Sequence, residues 1–192
     1  MSVKTVHELL YTASDDECII HIDKLSDINI TNICGSTLLM QSVIMGRIKI
    51  AEYLIKCGCD IDAVNHNNTT ALMYACSYDR RDICQLLIKN NANVNMVNAH
   101  NKSAIIMAYW ESSEDTVIDL LKSGAKFMDL FTLLDHQSIM YDTGTIKYHL
   151  RDMYRDEIIS VINTSDADNI IAHCFSKIYV PQIVDIISAF II

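Results

Sequence analysis

An all-α solenoid of stacked helical units, closed by a C-terminal helical cap, is the architecture that this 192-residue chain predicts. Thr37, Thr70 and Ser103 recur at a constant step of 33 residues, and Gly58, Asn91 and Gly124 keep the same step. Two landmarks in one phase mark an internal repeat, whose single unit cannot bury its apolar face alone and so stacks on its neighbours. The third observation is compositional: one proline and five glycines, set among many Leu, Ile and Met, favour helices over a β-sandwich.

Residues 5–13 and 17–25 carry two short helical patterns separated by Ser14-Asp15-Asp16, a helix N-cap cluster. Asp27-Ile28-Asn29 stands one period before Asp60-Ile61-Asp62, which stands one period before Asn93-Val94-Asn95. Residues 1–31 therefore predict a degenerate first unit. Its second helix carries His21 and Asp23 where later units carry Leu54 and Lys56, as suits a terminal repeat with one face open to water.

Residues 32–129 hold three full units. In the first, Thr37 opens a helix to about Met45, and Gly46-Arg47 turns the chain. A second helix then runs from about Ile48 to Cys57, with Ile50, Ala51, Leu54 and Ile55 at helical spacing. Gly58 supplies the left-handed position after the helix, and Asn91 takes that place in the second unit. Residues 60–68 read as a polar loop. In the third unit the apolar residues between Glu114 and Ile118 fall about one place late, which predicts a longer or distorted turn over 111–115. After Asp129 the period stops. Helical patterns follow at 130–140, 145–162, about 166–178 and after Pro181, giving a C-terminal cap or small helical domain over 130–192.

The formal net charge is -9, so nucleic acid is excluded as the expected partner and another protein is favoured. Seven cysteines show no spaced disulfide framework, no apolar signal segment precedes the first charges, and no run reaches the length of a membrane span. The expected setting is cytoplasmic, of the source cell or of a host, with no membrane partner and a monomeric chain. Abundant Asn and Ile with scarce Pro suit an AT-rich genome, and with the short array they suggest a viral or bacterial host-directed protein.

The openings Gly35-Ser36-Thr37-Leu38, Asn68-Thr69-Thr70-Ala71 and Asn101-Lys102-Ser103-Ala104 share one pattern. The pairs Leu54-Ile55, Leu87-Ile88 and Leu120-Leu121 and the turns Gly58-Cys59-Asp60-Ile61-Asp62 and Asn91-Ala92-Asn93-Val94-Asn95 share others. Together they resemble the ankyrin repeat family over roughly residues 5–129. The resemblance implies helix–turn–helix units stacked side by side, β-hairpin loops on one edge, and a concave face that binds proteins without catalysis. The family's proline after the Thr, and its loop-bridging histidine two places later, are replaced by Leu38 and Met40, Ala71 and Met73, and Ala104 and Ile106. Packing is then expected to hold the loops in place of hydrogen bonds, in a less rigid array.

Partner-contact positions carried over from the resemblance are Ile33, Cys34, Ser36, Ile44 and Met45 in the first full unit. They are His66, Asn67, Thr69, Ser77 and Tyr78 in the second, and Ala99, His100, Lys102, Trp110 and Glu111 in the third. Aromatic residues and Met are enriched at protein interfaces. Met45 and Tyr78 end first helices inside the regular region, whereas Trp110 and Tyr109 have the alternative of filling the groove against the next helix.

Cys57-Gly58-Cys59 has the look of half a metal site. In the repeat phase, however, Cys59 matches Ala92 and Ala125, and Cys84 matches Ala51, so small core positions explain the thiols and neither metal nor cofactor is expected. Cys174 with His149 or His173 is a candidate nucleophile pair, but no phosphate loop or oxyanion-hole glycines accompany it, and the chain is expected not to be an enzyme. Residues 179–190, Tyr-Val-Pro-Gln-Ile-Val-Asp-Ile-Ile-Ser-Ala-Phe, weakly resemble the truncated F-box-like end of poxvirus ankyrin proteins. That resemblance implies an alternative role as a substrate adaptor recruiting a ubiquitin ligase; a plain capping helix is the other reading.

Overall fold

A computed structural model of the chain describes residues 3–111 and 113–126. The expected cap over 130–192, with the Cys174/His149/His173 pair and the F-box-like segment, lies outside the described residues.

Among the described residues there are eight helices: α1 Val3–Thr12, α2 Asp15–Ile22, α3 Leu38–Ile44, α4 Ile48–Lys56, α5 Ala71–Ser77, α6 Arg81–Lys89, α7 Ala104–Trp110 and α8 Glu114–Lys122. The first helices α1, α3, α5 and α7 neighbour one another in sequence order, and so do α2, α4, α6 and α8. The result is a two-layer stack. The degenerate unit joins it with α1 against α3 and α2 against α4, and Ser14 caps α2 by accepting from the Glu17 N–H at 3.2 Å.

The core lies between the layers and between successive units. Leu38, Leu39, Met40 and Val43 of α3 and Ile50, Ala51 and Leu54 of α4 are buried, and the same phases are filled by Ala71, Leu72, Met73, Cys76, Ile83, Cys84 and Leu87. Burying each large aliphatic side chain contributes about 1.5–3 kcal/mol.

The third unit keeps the common register. Three residues separate the two helices in every full unit, so the longer turn expected over 111–115 is not formed. Thr116, 1% exposed, takes the place of Ile50 and Ile83, while Val117 and Leu120 align with Ala51 and Leu54. One polar residue in a core position made the apolar pattern look displaced.

The first helices α3, α5 and α7 start at Thr37, Thr70 and Ser103, each in an extended conformation. Thr37 and Thr70 accept the N–H of Met40 and Met73 through their hydroxyl oxygens, both at 3.2 Å. Ser103 makes no such bond, and its buried hydroxyl has no partner. The left-handed position expected after each second helix is observed at Gly58, Asn91 and Gly124, with φ of 81°, 64° and 86°.

The loops differ from the expectation of β-hairpins. Among the described residues no strand forms, and single bridges join Thr31 to Thr37 and Val97 to Ser103. The loops are not held by packing alone, since side-chain oxygens of Asn and Asp accept hydrogen bonds both within and between them. Asn32 Oδ1 accepts from the N–H of Cys34 and Ser36 at 2.9 and 3.0 Å. Asn65 does the same for Asn67 and Thr69, and Asn98 for His100 and Lys102. Between units, Asn29, Asp62 and Asn95 accept from the N–H of Asp60, Asn93 and Lys126, each at 2.8 Å. Met40, Met73 and Ile106 are buried. Packing and an Asx hydrogen-bond ladder therefore act together.

Arg47 joins the degenerate unit to the array. Its guanidinium donates to Asp15 Oδ1, Leu10 O and Ala13 O at 2.9, 2.9 and 2.6 Å. Tyr53 adds a hydroxyl bond to the Asp23 carboxylate, which raises the Tyr53 pKa. On the second-helix layer Arg81 pairs with Asp115 at 2.6 Å and Asp119 at 3.3 Å.

Candidate protein-interaction surface

The carried-over residues fall into two groups, one on the loop tips and one at the C-terminal ends of the first helices. The loop tips display Ile33, Cys34, His66, Asn67, Ala99 and His100, all exposed. Ile33 is the extreme case at 95%. Adjacent tips are joined laterally, since His66 N–H donates to Cys34 O at 3.2 Å and Ala99 N–H donates to Asn67 O at 2.9 Å. The His66 ring lies against Gly35, where a Cβ would meet His66 Cδ2 at 2.7 Å.

Ser36 and Thr69 lie in the same loops but are 6% and 8% exposed. Their N–H groups serve the Asn turns, so these two positions shape the loop and offer little surface to a partner.

The helix ends carry Met45, Tyr78, Trp110 and Glu111 in exposed positions, with Ile44 and Ser77 half-buried, while half-buried Lys102 lies in the loop before α7, at the repeat position of Ser36 and Thr69. Tyr78 stacks on Tyr74 with ring centroids 6.4 Å apart. The Tyr74 hydroxyl in turn accepts from Asn65 Nδ2 at 2.8 Å, so the exposed ring rests on a residue tied to the loop ladder. Ser77 Oγ donates to Met107 Sδ at 3.1 Å, linking α5 to α7.

Trp110 and Tyr109 divide between the two roles open to them. Trp110 is 53% exposed, with Lys102 Nζ 4.8 Å from its ring centroid, a cation–π contact that restrains the ring. Tyr109 turns inward at the phase of Val43 and Cys76; its hydroxyl is buried without a partner, and burial raises its pKa.

Three further residues adjoin this candidate surface. Tyr11, 56% exposed, stands one period before Ile44 and extends the row of helix ends onto α1. The 33-residue step from Tyr11 to Ile44 is the signal in the sequence that marks it. Tyr74 and Met107 lie mid-helix on the phase of Gln41, where only the fold shows that the ring and the thioether support exposed neighbours. Large apolar side chains are thus displayed by four consecutive first helices: Tyr11, Met45, Tyr78 and Trp110.

The cysteines divide by environment. Cys76 and Cys84 are buried, Cys57 is exposed and Cys59 half-buried. Burial first, then the neighbouring Asp60 and Cys57, push the Cys59 thiol up to about 11. Among the described residues no group of three or more His, Cys, Asp or Glu gathers as a metal site, and no helix is long and apolar enough to cross a membrane.

No curated protein matches the chain in sequence. The family model describing ankyrin repeats in three copies matches residues 3–98 and 57–129, which together span more than half of the chain. With the 33-residue step, the paired helices and the loop geometry, this match shows that the chain belongs to the ankyrin repeat family, whose arrays generally mediate protein–protein interaction.

Proposed function

We propose that the chain is a non-enzymatic recognition module that holds a partner protein against the first-helix ends and the loop tips. One observation carries this reading: Tyr11, Met45, Tyr78 and Trp110 place an exposed large side chain at the first-helix end of each of four stacked units, Tyr11 and Trp110 at one repeat position and Met45 and Tyr78 at the next. Such residues are costly to leave in water, and aromatic side chains held in place lose little entropy on contact, which makes them binding hot spots. The loop tips beside them provide the polar rim through His66, Asn67 and His100. The finer reading, a viral or bacterial protein directed at a host partner, is supported by the Asn- and Ile-rich, proline-poor composition.

The test is affinity capture with the intact chain and with Tyr78→Ala and Trp110→Ala. The reading expects the same partner to be lost from both variants while their helical content is unchanged. Retention of every partner by both would reject the surface.

A second reading, a substrate adaptor for a ubiquitin ligase, is supported by the sequence of residues 179–190 alone. Removing residues 179–192 separates it from a capping role. An adaptor loses ligase components while keeping its target, whereas a cap loses solubility.

A further inference from the structure

The second full unit buries two thiols against each other. Cys76 Sγ on α5 lies 3.7 Å from Cys84 Sγ on α6, and both residues are 1% exposed. The same two phases hold Val43 and Ala51 in the first full unit and Tyr109 and Val117 in the third, so packing at this contact is met elsewhere without sulfur. We propose that Cys76 and Cys84 form an oxidisable dithiol that closes to a disulfide between the two helices of this unit.

The sulfurs must approach by about 1.7 Å to reach bonding distance, a movement that side-chain rotation and a small helix adjustment supply. With hydrogen peroxide as oxidant, one sulfur gives up its proton and attacks a peroxide oxygen. The O–O bond breaks, one water leaves, and a sulfenic acid remains. The second thiol attacks that sulfur, the S–O bond breaks, and the departing hydroxide takes the second thiol's proton as water. Two thiols and one peroxide thus become one disulfide and two waters.

The environment sets the rate. The contact with Cys84, and then burial, hold the Cys76 thiol well above its ordinary pKa, so little thiolate exists in the closed unit. Closure therefore follows local opening of α5 and α6 and records it as a covalent bond. The bond constrains the chain two residues before Tyr78, but the site does not depend on what that surface binds.

Trypsin makes the pair readable, because Arg80 and Arg81 lie between the two cysteines. The full chain is treated with hydrogen peroxide in denaturant below its unfolding midpoint, the remaining thiols are alkylated, and the digest is analysed without reduction. The proposal expects peptides Cys57–Arg80, with Cys57 and Cys59 alkylated, and Asp82–Lys89 joined two hydrogens below their summed mass, separated by reductant, with fragmentation placing the link between Cys76 and Cys84. Cys84→Ala places the residue of Ala51 at that phase, and it should remove the cross-link while leaving Cys76 alkylated. Recovery of Cys76 and Cys84 as separate alkylated thiols, while exposed Cys34 and Cys57 are oxidised, would overturn the proposal. Pairing of Cys76 with any other cysteine would do the same.

Discussion

The three cap positions are alike in sequence and unlike in chemistry. Thr37 and Thr70 each satisfy a helix N–H that would otherwise be left without a partner, whereas the Ser103 hydroxyl is buried and satisfies nothing. Thr37→Ala and Thr70→Ala should each cost about 1 kcal/mol in urea denaturation. Ser103→Ala should be neutral or slightly stabilising, because it removes an unpaired buried hydroxyl. Equal losses at all three would show that Ser103 finds a partner in solution. Two glycines make a similar contrast. Gly35 has φ of 74° and the His66 ring and backbone in the path of a Cβ, whereas Gly58 has φ of 81° and nothing within 4 Å. Gly58→Ala pays only for the left-handed backbone, about 1–2 kcal/mol, and Gly35→Ala should exceed it by forcing the loop tips apart. A Gly35→Ala loss no larger than that of Gly58→Ala in the same denaturation series would mean that the His66 ring moves aside freely.

At the scale of elements, the degenerate unit is held to the array through Arg47. Its guanidinium satisfies the Asp15 carboxylate, the Leu10 carbonyl in the last turn of α1 and the Ala13 carbonyl just after it. Arg47→Ala leaves those acceptors without their donor and should cost on the order of 2 kcal/mol. The loss should be local, so hydrogen exchange is the measurement: amides of Val3–Ile22 should exchange faster while those of α5 and α6 do not. Uniform acceleration would indicate that the stack unfolds as one unit. The exposed Arg81 pairs with Asp115 and Asp119 contribute far less, because water screens them.

The sequence made the helices legible because they depend on a period, and a period survives single exceptions. Thr37, Thr70 and Ser103 locate α3, α5 and α7, and Gly58, Asn91 and Gly124 locate the ends of α4, α6 and α8. Local reading failed where one side chain contradicted its neighbours. Thr116 made the third unit look shifted, although its register is intact. Asn32, Asn65 and Asn98 also recur in phase, yet their purpose depends on which N–H groups the turn brings to one oxygen. Loss of the loop histidine was visible, but its replacement by an Asx ladder was not. Trp110 and Tyr109 are adjacent aromatics in the sequence, and the helix sends one outward and the other inward.

For the whole molecule, the stack converts a repeated sequence into a repeated surface. Units joined through Asn29, Asp62 and Asn95 and through the lateral loop bonds bring first-helix ends side by side, so that one exposed residue per unit becomes a row. The second-helix layer presents instead the Arg81, Asp115 and Asp119 ion pairs, a surface suited to water. The central claim is that recognition uses the first-helix row. It is tested most directly by the dissociation constant of the captured partner for the intact chain, Tyr78→Ala, Trp110→Ala and the opposite-layer control Arg81→Ala. The account predicts a weakening of roughly 30-fold or more for each aromatic substitution, with unchanged melting temperature, and no change for Arg81→Ala. Unchanged affinity in both aromatic variants together with a loss in Arg81→Ala would contradict it and place recognition on the second-helix layer.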